Sequence, residues 1–361
     1  MEKILYLMHV DWNWIKQRPQ FIAEELSRYY KVDIIYKYSY NKKKLQSNKH
    51  SSNITLMPVK SVPHRFMQLP LAKRMNRYLF KEKIANELDK NNINKIYITS
   101  PTFNEYLPKN YKGVIIYDCM DDHVALEKEV DSSIIQRNEK ELISQATIVL
   151  VTSENLQQVL IKRYGEQFRH KMVIVRNGYN GKILDQSLMI NTQKQNKNKK
   201  VLSYFGTVSS WFDFKLIQES LKDFSNIEYH IYGPVEKNIH LPNNKRIKFM
   251  GTVEHDKLYS VVKDSIALIM PFTVNKIIES VDPVKLYEYI NFNKNILTVK
   301  YDEINRFDRF VYFYQDYQEY KKQLEVLLQS KHVKYSNVER VAFLKQNSWS
   351  NRAKQIIDIW T

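Results

Sequence analysis

The chain has 361 residues, with 56 Lys+Arg against 39 Asp+Glu for a net charge of +17, 43% hydrophobic and 13% aromatic residues, 7 Gly and one Cys. The apolar content excludes wholesale disorder, and the lone Cys119 excludes a disulfide framework or a Cys-rich zinc module and suits a reducing cytoplasm. The length predicts two domains at roughly 100–200 residues each, the opening Met1–Met8 run is too short for a signal peptide, and no apolar run is long enough to span a membrane, so a soluble, cytoplasmic protein is expected.

Strand and helix patterns alternate along the chain. Lys3–Met8 reads as a buried strand and Pro19–Tyr29 as a helix with Pro in its first turn. Val32–Tyr36 and Ile54–Pro58 read as strands, and Lys81–Asn91 as a helix. Strands are expected at Lys95–Thr99 and Gly113–Tyr117, then a long helix over Ala125–Gln145. Strand Thr147–Thr152, helix Asn155–Tyr164 and strand Met172–Arg176 end this series. Gln186–Lys200 is polar, lacks apolar periodicity and reads as a linker.

The alternation restarts beyond the linker. Strands are expected at Val201–Phe205, Ile227–Tyr232, Ile247–Met250, Ile266–Met270 and Asn295–Val299. Helices are expected at Phe214–Leu221, Lys257–Lys263, Pro283–Ile290, Tyr317–Gln329 and Trp349–Trp360. The fold class is therefore α/β, with two Rossmann-like doubly wound domains facing across a cleft. The expected division is 1–185 with 345–361 crossing back, a linker over 186–200, and a second domain over 201–344.

The positive charge is spread over both halves of the chain, unlike a nucleic-acid-binding tail. It is densest from Lys60 to Lys83, where Lys60, Arg65, Lys73, Arg74, Arg77, Lys81 and Lys83 face a single acid, Glu82. Interleaved Phe66, Met67, Leu69, Leu71, Met75, Tyr78, Leu79 and Phe80 suit a segment lying on an anionic membrane surface. A basic helix packed on its own domain is the alternative. No zinc module, RNA-recognition motif or helix-turn-helix supports nucleic acid as a partner.

Residues with chemical potential fall at strand ends, where such folds place their ligands. The first strand runs into His9, Asp11 and then Gln17-Arg18-Pro19, where a helix start and a guanidinium would suit a phosphate. The strand ending at Tyr117 leads into Asp118, Asp121, Asp122 and His123, candidates for sugar binding, for a general base, or for turn and cap roles. No spacing there identifies a metal site, and no GxGxxG or GxxxxGK[ST] occurs. In the second half, Gly206, Gly233 and Gly251 stand at strand ends, suggesting close backbone approach to a ligand.

The ordered set Gly206, Gly233, Gly251, Pro271-Phe272 and Pro283-x-Lys285-x-x-Glu288-Tyr289 resembles the nucleotide-sugar domain of GT-B glycosyltransferases, in or near glycosyltransferase family 4 of the bacterial polysaccharide type. Trp14-x-x-Gln17-Arg18-Pro19, Tyr117-Asp118-x-x-Asp121, Val151-Thr152-Ser153-Glu154, Arg176-Asn177-Gly178 and Trp349-x-x-Arg352 resemble that family's landmarks in the first half and at the end.

The resemblance implies a retaining, metal-independent hexosyltransferase without a cofactor. It would move a sugar from a nucleotide diphosphate donor, UDP by expectation, to a glycan or lipid-linked glycan in cell-surface polysaccharide synthesis. Glu288 would bind the ribose, Lys285 and the helix start at Pro283 would face the diphosphate, and Val253 would contact the base. Gly206-Thr207 and Gly233 would admit the phosphates, with Ser280 and Asp282 beside them. Ser280 stands where the family commonly has Glu, and Thr207 with Trp211-Phe212 stands where many members have Arg and Lys, which leaves Arg18 to meet the phosphate charge. Asp118, Asp121 or Asp122 would serve the acceptor, and act as base if the reaction inverts. Arg74, Arg77 and Lys81 would lie on the inner face of the membrane. A nucleotide-sugar epimerase of the same fold and a scaffold subunit with a degraded site are the alternatives.

Overall fold

The computed structural model describes residues 1–13, 16–39, 50–61, 70–126, 132–179, 181–185 and 199–360. Trp14, residues 62–69 of the basic window and residues 186–198 of the expected linker lie outside them. The chain divides into two compact units, Met1–Asn177 with Trp349–Thr361, and Gly178–Ser348. These junctions differ from the expected 185/186 and 344/345 for a local reason. The Tyr179 amide donates to Asn347 O at 2.7 Å, and Arg340 donates to Leu184 O at 2.7 Å. Residues 178–179, 181–185 and 345–348 are thereby held by the second unit.

The first unit is built on a seven-stranded sheet of order β3-β2-β1-β4-β5-β6-β7, every pair parallel. The strands are β1 (Lys3–Met8), β2 (Lys31–Ser39), β3 (Ile54–Ser61), β4 (Lys95–Ile98), β5 (Val114–Cys119), β6 (Ile148–Val151) and β7 (Met172–Ile174). Strand side chains alternate between faces, and both faces are covered. In β1, Leu5 and Leu7 join a core with Phe80, Ile84 and Leu88 of α2 (Pro70–Asn91), Leu142 of α4 (Ser132–Gln145) and Leu156 of α5 (Glu154–Tyr164). Ile4, Tyr6 and Met8 join the opposite core, with Ile22 and Leu26 of α1 (Arg18–Leu26) and Trp349, Ile356 and Trp360 of the C-terminal helix Trp349–Trp360. Trp349 stacks on Phe21 and Trp360 on Tyr30, each with ring centroids 5.3 Å apart.

The second unit has a six-stranded, all-parallel sheet of order β10-β9-β8-β11-β12-β13. Its strands are β8 (Lys200–Phe205), β9 (Ile227–Tyr232), β10 (Ile247–Gly251), β11 (Ala267–Met270), β12 (Asn295–Val299) and β13 (Tyr312–Tyr314). Helices Phe214–Asp223, Leu258–Val262, Val284–Asn291, Tyr317–Gln329 and Asn337–Gln346 accompany it. Both orders reverse beside the first strand of the unit, between β1 and β4 and between β8 and β11. Such a reversal opens a ligand crevice at the carboxyl ends of the strands.

Of the span Ala125–Gln145 expected as one long helix, α3 (His123–Leu126) and α4 are helical, and residues 127–131 lie outside the described residues. Strand β13 and helix Asn337–Gln346 have no counterpart in the sequence reading, and the latter starts with a capping box between Ser336 and Glu339. Among the described residues no helix is long and apolar enough to cross a membrane.

Candidate functional site

In the second unit the carboxyl edge gathers the glycines and the Pro283–Glu288 motif. Gly206 follows β8 with φ +137°, Gly233 follows β9 with φ +134°, and the Gly206 amide donates to Tyr232 O at 2.9 Å. Both conformations strain any residue with a Cβ. A Cβ on Gly233 would overlap the Gly206 carbonyl, and one on Gly206 would overlap the Lys285 side chain. The two loops and Lys285 therefore occupy one close-packed spot, continued by Thr207, whose carbonyl accepts from the Tyr204 hydroxyl at 2.8 Å.

Helix Val284–Asn291 starts at this spot. Its N-cap, Pro283, provides no side-chain cap; the Leu286 amide donates to Pro283 O at 3.1 Å, which leaves the amides of Val284 and Lys285 and the positive end of the helix dipole for a ligand. Lys285 is half-buried, with Nζ 5.9 Å from the Tyr204 ring centroid. Among the described residues no carboxylate lies within ion-pair distance of it. Desolvation lowers its pKa, and Glu288 only partly opposes that. A desolvated ammonium beside helix-start amides that lack a side-chain cap has the chemistry to suit an anion.

Glu288 is one helical turn further on. Its Oε1 accepts from His255 Nε2 at 2.6 Å, and this bond raises the His255 pKa above its usual value. Val253 lies in the same loop as His255, just past β10. Ser280 is buried at the end of the short turn Ile278–Ser280. Asp282 is buried and ion-paired to Arg306, which also donates to the Tyr287 hydroxyl at 2.9 Å. Asp282 thus anchors the loop before the helix.

In the first unit the three aspartates separate. Asp118 is fully buried, with Arg18 Nε at 2.9 and 3.0 Å from its two oxygens, Arg18 Nη2 at 2.9 Å, and the Tyr97 hydroxyl donating at 2.7 Å. Arg18 Nη1 also donates to Arg176 O at 3.2 Å. The charge of Arg18 is committed to Asp118 and not held open for a phosphate, which corrects that expectation. Asp118 likewise cannot act as a base while the pair stands.

Asp122 caps α3 and takes both guanidinium nitrogens of Arg163, at 2.8 and 2.7 Å. Burial alone would raise its pKa, but Arg163 and the cap amides hold it below the usual value. Asp121 differs: it is exposed, and no ion pair among the described residues engages it. The dense surroundings, with Asp118 and Asp122 adding like charge against Arg18, raise its carboxyl to about 7; its exposure to water screens part of that effect.

His9, just past β1, faces the same region. Its Nδ1 lies 2.7 Å from Thr99 Oγ1, at the carboxyl end of β4, and its ring meets His123 edge-on at 6.1 Å. Burial and the neighbouring His123 depress the His9 pKa to about 3, so it is a neutral imidazole near pH 7. His9 and Asp121 thus flank the reversal between β1 and β4.

Sequence reasoning did not assign His9, His255, Arg163 or Arg306. His255 meets Glu288 across 33 positions and Arg163 meets Asp122 across 41, distances no local pattern encodes. The one available signal was placement: His9 and His255 both follow the end of an expected strand.

A cavity of about 140 Å³ lies at the opposite pole of the second sheet, lined by Lys200, Lys294, Asn295, Lys331 and His332 among others. Helices Val284–Asn291 and Tyr317–Gln329 end there, presenting carbonyls, and Lys294 donates to Lys263 O. Lys294 thus serves the end of helix Leu258–Val262, and the cavity is remote from Lys285 and Glu288.

No family model matches the sequence, and no curated protein matches it. Solved structures do match over the whole chain. Sucrose-phosphate synthase from Thermosynechococcus elongatus aligns with a TM-score of 0.75 at 12% identity, covering 100% of this chain and 98% of that one. HepE from Anabaena, in complex with UDP and glucose, aligns at 0.70 and 13%, covering 100% and 99%. The lipopolysaccharide outer core galactosyltransferase WaaB aligns at 0.67 and 13%, covering 99% and 100%. At these identities the similarity establishes architecture: the chain has the fold of the GT-B glycosyltransferases.

Proposed function

We propose that the protein is a glycosyltransferase that takes a sugar from a UDP-sugar donor and transfers it to a glycan or lipid-linked glycan. Lys285 carries this reading. It is a desolvated ammonium with no carboxylate at ion-pair distance among the described residues, beside two forced glycine turns and a helix start without a side-chain cap, which suits a diphosphate. Glu288, one turn along, offers a carboxylate to ribose hydroxyls once His255 yields or shares it. The matching structures add support, since HepE was solved with UDP and glucose bound.

In this reading the diphosphate charge is met by Lys285 and helix amides, so no metal ion is required for binding. Asp121 and His9 serve the acceptor, while Arg18, Asp118 and Asp122 hold the loops that carry them. The reaction breaks the bond between the anomeric carbon and the UDP oxygen and forms one to an acceptor hydroxyl. With retention of configuration, as the sequence resemblance implies, the departing phosphate takes the hydroxyl proton. With inversion, Asp121 takes it as the general base in this reading.

The test is UDP release from a panel of UDP-sugars, with and without glycan acceptors. Release from at least one donor, lost in Lys285→Ala, is expected. No release from any donor, together with no UDP binding, would leave a scaffold with this fold.

A further inference from the structure

We infer that the N-terminal half of α2 is a docking surface for an anionic lipid bilayer; this extends the reading above by naming where the protein meets a lipid-linked acceptor. Helix α2 changes character along its length. From Phe80 onward its Phe80, Ile84 and Leu88 are buried against the first sheet, and Glu82, Glu87 and Asp89 balance its bases. Before Phe80 it exposes large apolar side chains: Leu71 at 79%, Met75 at 50%, Tyr78 at 63% and Leu79 at 37%. Leu71, Met75 and Tyr78 recur at i, i+4 and i+7, so they form one stripe along the helix.

Exposed apolar groups at this density call for a partner, and the charge beside them indicates which. Arg74, Arg77 and Lys81 are exposed and lie along a stripe next to the apolar one, and residues 70–81 contain no acid. A neutral apolar surface would leave these bases unmatched. An anionic membrane supplies acyl chain and negative headgroup together, which is the combination a basic amphipathic helix face fits.

Position supports this. In a parallel sheet a crossover helix runs against the strands, so the start of α2 lies at the carboxyl pole. Phe80 stacks on Tyr106 at 5.0 Å and meets Phe103 at 6.0 Å, both just past the end of β4. Residues 71–79 therefore sit at the same end of the first unit as His9 and Asp121.

The experiment is flotation of the full-length protein with vesicles of phosphatidylcholine alone or with phosphatidylglycerol added, at low and high salt. Wild type should float only with the anionic vesicles, and less at high salt. Two triple variants separate the contributions: Arg74→Gln, Arg77→Gln, Lys81→Gln removes charge, and Leu71→Ser, Met75→Ser, Tyr78→Ser removes apolar surface at constant charge. Each should weaken vesicle binding at least about tenfold. UDP titration of the same samples keeps the two readings apart, since both variants should bind UDP as wild type does. Wild type remaining unbound on anionic vesicles at low salt would overturn the inference. So would variants that float as well as wild type, or a dimer in sedimentation that the serine variant abolishes, which would assign the face to a second copy.

Discussion

Arg18 and Asp118, 100 positions apart, form a buried multi-point ion pair: Arg18 Nε approaches both carboxylate oxygens at 2.9–3.0 Å, and Nη2 adds a contact at 2.9 Å. With Tyr97 completing the set, this pair ties the start of α1 to the end of β5. It divides the aspartates of that loop into two that hold and one, Asp121, that is free to act.

Replacing Asp118 by Asn should therefore destabilise the fold rather than abolish nucleotide binding. Removing one partner of a buried pair strands the other charge, at a cost of about 3–5 kcal/mol. A lowered unfolding midpoint with UDP affinity retained below it checks this. Asp121→Asn should show the reverse, with the fold intact and transfer impaired. Transfer at the wild-type rate would remove Asp121 from the chemistry.

The pH response of Asp121 has a defined sign. Its folded pKa is raised from 3.8 to about 7, so the folded state holds the proton more tightly than the unfolded chain. Its contribution to stability then falls as pH rises through that window and stays unfavourable above it. Asp121→Asn should be neutral to stability near pH 4 and slightly stabilising at pH 8, attenuated by the exposure of the group. Denaturant titrations at the two pH values measure it.

Gly206→Ala should weaken both stability and nucleotide binding. A left-handed φ with a side chain costs on the order of 1–3 kcal/mol, and the new methyl would displace Lys285. A variant with unchanged midpoint and UDP affinity would mean that the loop adjusts freely.

Glu288 and His255 report on each other. Glu288→Ala should lower UDP affinity roughly 10- to 100-fold, the loss expected for one charge-assisted hydrogen bond of about 1.5–3 kcal/mol. In proton NMR, His255 should titrate above its usual value of 6.5. The value should fall back in Glu288→Gln, and also when UDP saturates the protein and engages the carboxylate. A titration unmoved by UDP would place the ribose elsewhere.

The α/β architecture was legible because buried parallel strands leave compact apolar runs, such as Lys3–Met8, which matches its observed span. The placement of Lys285 and Glu288 one turn apart on a helix was legible because their spacing lies within one apolar-periodic run. The role of Arg18 was not. Its position at a helix start suggests an anion, but the anion is a carboxylate from β5, chosen by tertiary packing. The unit boundary was displaced because Tyr179 and Leu184 find their partners in Asn347, Asn291 and Arg340, long-range pairings that composition does not show.

The central claim is that Lys285 is the diphosphate-binding charge of a UDP-sugar site. Calorimetric titration of wild type and Lys285→Ala with UDP and with uridine tests it most directly, because only UDP carries the charge in question. The account predicts that wild type binds UDP far more tightly than uridine, and that Lys285→Ala removes most of this margin while leaving uridine affinity in place. Equal losses for the two ligands, or no UDP binding by wild type, would contradict it.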